Sequence, residues 1–326
     1  MGPPAGRDVS YGFGPGRSQH DALEALYIGI TSKKVNYVLG LDIRTFFDKV
    51  GHEEMEKFVR HRIGAERVVR LILKWKKAGV MEDGKWFETK EGTPQGAAIS
   101  PLLANLYLHH VLDPWVQAWR KKVAHGDAIV VRYADDAVLG FQDREEAEKF
   151  LEELQGRVRK FGLDLHPEKT RLIEFGRYAA ERRRKRGEGK PETFDFLGFT
   201  HIRGKNHVTG YSMVYRKTIR KRMAAKLKEI RRKLRVRHHE SIEATQKWLQ
   251  SVVRGYYQYH AIPRNEERLK AFRGEVLRMW WWQLGRLSQR SRWTWNKFQE
   301  RLGSLMPQVE VLHPYPEVRF ASKHPM

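Results

Sequence analysis

Residues 128–141 read AIVVRYADDAVLGF, two apolar runs on either side of Ala134-Asp135-Asp136. Val, Ile, Tyr and Phe favour strands and Asp favours tight turns, so the stretch predicts a β-hairpin with two carboxylates at its tip. Upstream, residues 36–41 (NYVLGL) read as another short apolar strand, and it ends at Asp42. Taken singly, an Asp-Asp pair is an ordinary turn and a strand-terminal Asp an ordinary cap. Both carboxylate sites end apolar strands, however, so each is buried at its base and needs a cation or strong donors beside it. Three such carboxylates could hold two divalent cations close enough to span the attacking and leaving oxygens of a phosphoryl transfer.

Helical and turn signals surround these strands. Residues 18–30 (SQHDALEALYIGI) carry apolar positions at helical spacing after Ser18 as N-cap, and HEEMEKFVRHRI after the Asp42 strand reads as another helix. Residues 92–115 (GTPQGAAISPLLANLYLHHVLDPW) predict a glycine-framed turn, then Ser100 as cap and Pro101 at the first helical position. REEAEKFLEELQGRVRKFG is a charged amphipathic helix, GLDLHPEKTRLIEF a returning strand, and FDFLGFT (194–200) a further short strand. Strands and helices alternate without a regular βαβ rhythm, which predicts an α+β layer rather than a parallel sheet. Five consecutive basic residues, 182–186, followed by Gly187 and Gly189, read as a mobile loop. Beyond Tyr215 the texture is wholly helical. The expected domains are 1–205 and 206–326, the second opening on a basic helix at 216–237 with twelve Lys or Arg against one acid, Glu229.

Composition narrows the partners. The 326 residues include 62 Lys and Arg against 39 Asp and Glu, a net charge of +23, which favours polyanions. With 40% hydrophobic residues and ten Trp, the chain is no basic tail. Zero cysteines exclude disulfides, Cys-ligated zinc and a thiol nucleophile, and a reducing cytoplasm is the expected location. No signal peptide or membrane span is read from the sequence. Gly12 to Ser18 (GFGPGRS) superficially suggests a phosphate loop, but its spacing is one short, Arg replaces Lys and no strand precedes it. His109-His110 and His238-His239 are adjacent pairs that diverge on a helix and chelate one metal poorly, so packing, capping or RNA contact is expected of them.

The motifs YADD (133–136), DIRTFFDKVGH from Asp42, GTPQGAAISPLLANLYL from Gly92, GLDLHPEKT from Gly162 and FDFLGF from Phe194 resemble the palm motifs of reverse transcriptases, in that family's order. SYGFGPGRSQHDAL (10–23) and VRGYYQYH (253–260) are similar to the group II intron-encoded reverse transcriptase/maturases. VRGYYQYH also argues against a host-defence reverse transcriptase. The resemblance implies an α+β right-hand polymerase palm over 1–205 with a remnant of the fingers, then an all-helical thumb/maturase domain over 206–326. It implies an RNA-directed DNA polymerase that copies intron RNA with two Mg²⁺ ions, Mn²⁺ able to substitute, and binds that RNA as a maturase. Its partners would be the intron RNA template, a DNA primer and deoxynucleoside triphosphates, with no membrane.

By the same resemblance Asp42, Asp135 and Asp136 would be the catalytic metal ligands, with the Ile43 carbonyl completing the set. Lys169 would protonate pyrophosphate, with a solvated lysine as the plain alternative. Phe47 would exclude the ribose 2′-hydroxyl, although Phe46 and Phe47 also suit a core. Gln95 and Gly96 would lie against the templating pair, and Tyr133 would face substrate. Phe196, Leu197 and Gly198 would form the primer grip, or serve only the core. Charge density assigns Arg220, Lys221, Arg231 and Arg232, with Arg216 and Lys217, to RNA contact. Relatives carry strands of a fingers segment ahead of the part matching 10–18, where Met1 stands only nine residues before Ser10, and an Arg where this chain has Gly14. The expectation is a chain without that segment and without a cysteine-rich nuclease. A non-catalytic RNA-binding maturase that keeps the palm as scaffold is the second reading.

Overall fold

The computed structural model describes residues 9–323 apart from 15, 45, 78–79, 83–84, 88–98, 207 and 288–292. The elements run α1 (Gln19–Ser32), β1 (Tyr37–Leu41), β2 (Ile43–Arg44), α2 (Phe46–Lys49), α3 (His52–Arg62), α4 (Glu66–Lys77), β3 (Val80–Glu82) and β4 (Lys85–Phe87). They continue with α5 (Ser100–Val111), α6 (Asp113–Lys122), β5 (Ala128–Tyr133), β6 (Asp136–Phe141), α7 (Arg144–Arg159), β7 (Asp164–Leu165), β8 (Arg171–Glu174) and α8 (Ala179–Lys185). After these come β9 (Phe194–Phe196), β10 (Phe199–Lys205), β11 (Ser212–Thr218), α9 (Arg220–Val236), α10 (Ile242–His260), α11 (Glu266–Leu287), α12 (Trp295–Phe298) and α13 (Pro316–Lys323). The chain is α+β and divides into two compact units. One comprises residues 1–193 with 205–213 and 320–326, the other 194–204 with 214–319. The FLGF segment thus belongs to the same compact unit as the helices that follow.

The first unit is built on an antiparallel sheet in the order β5-β6-β1-β8. Its strands read as nearly continuous apolar runs because both faces are covered. Leu39, Leu41, Ala137, Leu139 and Phe141 share one core with Tyr107 of α5, Trp119 of α6 and Phe150 of α7. On the opposite face, a Cβ at Gly29 of α1 would meet the Ile129 side chain at 2.8 Å, so glycine lets α1 lie against β5. Ser18 caps α1 with a capping box, its side chain accepting from the Asp21 N–H while Asp21 accepts from the Ser18 N–H. Ser100, expected as a cap, is instead the first residue of α5.

The basic run at 182–186, expected to be a loop, is largely helical in α8. Arg182 and Arg186 both reach the buried Glu174 carboxylate, and Arg183 reaches Glu188. Those acids balance charge that the run itself does not, and so they order it.

In the second unit β9 and β10 form a hairpin where one strand was expected. Phe196 pairs with Phe199, and both Leu197 (φ 44°) and Gly198 (φ 84°) are left-handed. Such a two-residue connection matches the right-handed strand twist. Ile230, Leu249, Phe272, Trp280 and Phe298 build the core of α9–α12. Thr294 caps α12, which runs on into a π-turn at Gln299–Gly303.

Candidate functional site at the carboxylate end of the sheet

The β5–β6 hairpin turns in two residues, because Tyr133 pairs with Asp136 and only Ala134 and Asp135 lie between. Ala134 is held at φ 56°, a region that costs an L-residue about 1 kcal/mol or more. Asp135 is thus the tip and Asp136 opens β6. On the other side β6 pairs with β1, the register running from Tyr37↔Phe141 to Leu41↔Ala137. One further step along that register brings Asp42 to the level of Asp136. The strand punctuation read in the sequence therefore becomes a spatial fact: carboxylates 94 positions apart sit at one end of one sheet.

The chain turns at Asp42. Its carbonyl accepts from the His166 N–H at 2.8 Å, and Ile43 pairs with Leu165. This places the HPEKT turn beside the carboxylate, and the Lys169 ammonium donates to Asp42 Oδ2 at 3.1 Å. Lys49 fixes the far side of that turn through Asp164 at 2.7 Å, and the Lys49 ammonium holds the Asp164 carboxyl below the usual carboxylate range.

A buried polar network underlies the hairpin. Arg132 is 2% exposed. Its Nε and Nη2 donate to the two oxygens of Asp113 at 2.8 and 2.6 Å, while Nη1 donates to Asn105 Oδ1 and to the Ala134 carbonyl, both at 2.9 Å. His109 Nδ1 lies 2.9 Å from Asp113. Burial pushes the Asp113 carboxyl up, but hydrogen bonds from His109 and Arg132 outweigh it, and the net direction is down. The segment 9–12 lies along β5: Arg132 N–H donates to the Val9 carbonyl, Tyr11 N–H to the Arg132 carbonyl, and Asn105 Nδ2 to the Gly12 carbonyl. A Cβ at Gly12 would stand 2.5 Å from the Ala134 nitrogen. The apparent phosphate loop is thus packing against the hairpin turn. Phe13 packs on Tyr133 with ring centroids 5.8 Å apart.

Among the described residues, no three His, Asp or Glu side chains stand close enough to cage an ion. Mg²⁺ does not require such a cage, since it keeps several waters and binds through one or two carboxylates plus substrate phosphates. The donor chemistry fits it, hard carboxylate oxygens at one sheet end, and the Lys169 ammonium on Asp42 Oδ2 is the cation that an ion there would replace.

The family model described as reverse transcriptase (RNA-dependent DNA polymerase) matches residues 4–201. The chain belongs to the reverse transcriptase family. Among curated relatives of this chain, Protein YkfC of Escherichia coli (strain K12) is 32% identical over 196 residues, covering 50% of this chain and 51% of that protein. Group II intron-encoded protein LtrA of Lactococcus lactis subsp. cremoris is 39% identical over 119 residues, covering 36% of this chain and 19% of that protein. The chain thus spans about half the length of the first relative and a fifth of the second. Both the reverse transcriptase family and the group II intron-type resemblance read from the motifs are supported by these relatives. Among solved structures, apo telomerase from Candida Tropicalis superposes with a TM-score of 0.48 at 11% identity, covering 86% of this chain and 52% of that one.

Of the expected site residues, Asp42, Ile43, Tyr133, Asp135, Asp136 and Lys169 gather at the sheet end. Gln95 and Gly96 lie outside the described residues, as does the side chain of Phe47, whose backbone is in α2. Phe196 and Leu197 are buried in the second unit. There Tyr259 Oη donates to the Leu197 carbonyl at 2.7 Å. Arg220, Lys221, Arg231 and Arg232 are exposed on α9. Arg216 and Lys217 are not part of that helix: they lie on β11, where Arg216 is buried and Lys217 pairs with Glu267. Alternate residues of a strand face the core whatever their charge, which a helical reading of 216–237 could not anticipate. Sequence reasoning also missed Gly12, Asn105, Asp113 and Arg132. Their signal was faint, a lone Arg inside an otherwise apolar strand. No helix among the described residues is long and apolar enough to cross a membrane.

Proposed function

We propose that the chain is an RNA-directed DNA polymerase of group II intron type, which extends a DNA primer on an RNA template and binds its intron RNA. The observation that carries this reading is the register that brings Asp42 level with Asp136, with Asp135 on the adjoining β5–β6 turn and Lys169 bonded to Asp42. Asp42, Asp135 and Asp136, with the Ile43 carbonyl, would hold Mg²⁺. When bound, the metal supplies Lewis-acid polarisation of the phosphates and a lower pKa for the primer 3′-hydroxyl. Lys169, bonded to Asp42, would give its proton to the leaving pyrophosphate. Tyr133, backed by Phe13, offers an apolar face to a base or sugar.

Exposed Arg220, Lys221, Arg231 and Arg232 favour RNA binding by α9. Its only acid, Glu229, already bonds Lys226 and Lys233 and leaves those four charges for an outside polyanion. The same helix would serve a maturase without polymerase activity, so the two readings part at the carboxylates. Primer extension on an RNA template, with and without Mg²⁺, separates them. Metal-dependent extension that Asp135→Asn lowers at least a hundredfold, with RNA affinity unchanged, supports the polymerase. RNA binding without extension under any divalent ion supports the scaffold reading.

A further inference from the structure

The Arg132 network is more elaborate than stability requires. A buried ion pair is weak evidence for stability, because desolvating both charges offsets most of their attraction, and an apolar pair of similar volume often does as well. What an apolar pair would not do is hold the Ala134 carbonyl. That carbonyl belongs to the left-handed residue of the turn immediately before Asp135, and Arg132 Nη1 reaches it at 2.9 Å. Asp113 fixes the guanidinium by a two-pronged contact, and Asn105 ties the same Nη1 to the Gly12 backbone. Gly12 then closes on the Ala134 nitrogen, so the turn is held on its carbonyl by Arg132 and approached at its nitrogen by Gly12.

We propose that Arg132 is a positioning residue for the proposed metal site, oriented by Asp113 and Asn105 to lock the Ala134–Asp135 turn and so fix the Asp135 carboxylate relative to Asp42. This rests on the reading of Asp135 as a metal ligand. A two-residue hairpin tip without such a clamp pivots about its strands, and a carboxylate displaced by about 1 Å is enough to cost catalysis a hundredfold. Lysine does not replace the guanidinium, since one ammonium cannot span Asp113, Asn105 and the Ala134 carbonyl together.

The test uses two variants of the full chain. Arg132→Lys keeps the charge, and Asp113→Leu/Arg132→Met removes both charges so that no buried carboxylate is orphaned. Three quantities are measured for each: thermal midpoint, affinity for an RNA–DNA primer-template, and Mn²⁺ binding followed by electron paramagnetic resonance without nucleotide. At least the double variant is expected to keep its midpoint and its primer-template affinity, while its half-saturating Mn²⁺ concentration rises about tenfold or more and extension falls about 10–100-fold, the range for outer partners of metal ligands. A folded double variant that binds Mn²⁺ and extends like the parent overturns the proposal. Asp135→Asn, run in parallel, reports on the underlying reading: if it too binds Mn²⁺ as the parent does, the metal-site assignment is at fault rather than the clamp.

Discussion

At Gly12 the chain tolerates no side chain. Its hypothetical Cβ would lie 2.5 Å from backbone, the Ala134 nitrogen, which cannot swing away as a side chain would. Gly12→Ala therefore moves either the 9–12 segment or the hairpin turn, at a cost of about 1–3 kcal/mol. The expected outcome is a modest drop in thermal midpoint with a disproportionate loss of extension, and a variant losing neither would show the contact to be dispensable. In the other unit, His201 is fully buried, stacked on Phe194 at 4.7 Å, and neither ring nitrogen meets a partner in good hydrogen-bond geometry. Burial first and the Arg216 guanidinium second push it down to about 3. The unfolded chain takes up a proton near pH 6.5 and the folded one does not, so stability falls as pH drops from about 6.5 towards 3, by about 1.4 kcal/mol per pH unit. Urea unfolding at pH 7.5 and 5.0 should show His201→Leu losing about one proton's worth of that slope, and an unchanged slope would contradict it.

Elements that follow from local chemistry were legible in advance. The N-cap at Ser18, the YADD hairpin and the apolar strand ending at Asp42 all rest on nearest-neighbour preferences, and they stand where they were expected. Elements that depend on distant partners were not. The 182–186 run looks like a solvated loop until Glu174, at the end of β8, is known to be buried beneath it. FDFLGFT looks like one strand because its turn places Leu197, not an Asn or a second Gly, at positive φ, with Tyr259 from α10 bonding the Leu197 carbonyl. For α9, a solvated face predicts little effect of losing charge. The RNA reading instead predicts that replacing Arg220, Lys221, Arg231 and Arg232 by Gln weakens RNA affinity and flattens its dependence on salt, by at most about one unit of log–log slope for each phosphate no longer neutralised. An unaltered slope in a salt series would falsify the assignment of α9 while leaving the sheet-end site untouched.

For the molecule as a whole, composition pointed to a polyanion partner through its net charge of +23, and motif order pointed to the family that the match over residues 4–201 now shows. The carboxylate constellation was readable because metal ligands sit at strand ends, where sequence punctuation marks them. Its support was not, because Gly12, Asn105, Asp113 and Arg132 come from three separate stretches of chain and meet through long-range side-chain bonds and the Ser10–Arg132 bridge, which no local pattern announces. Polymerase chemistry at Asp42, Asp135 and Asp136 is the claim on which the other assignments lean. It is tested most directly by single-turnover primer extension on an RNA template in Mg²⁺, comparing the parent chain with Asp135→Asn at matched RNA occupancy. The account predicts extension by the parent and a loss of at least about a hundredfold in the variant; equal extension by both would contradict it.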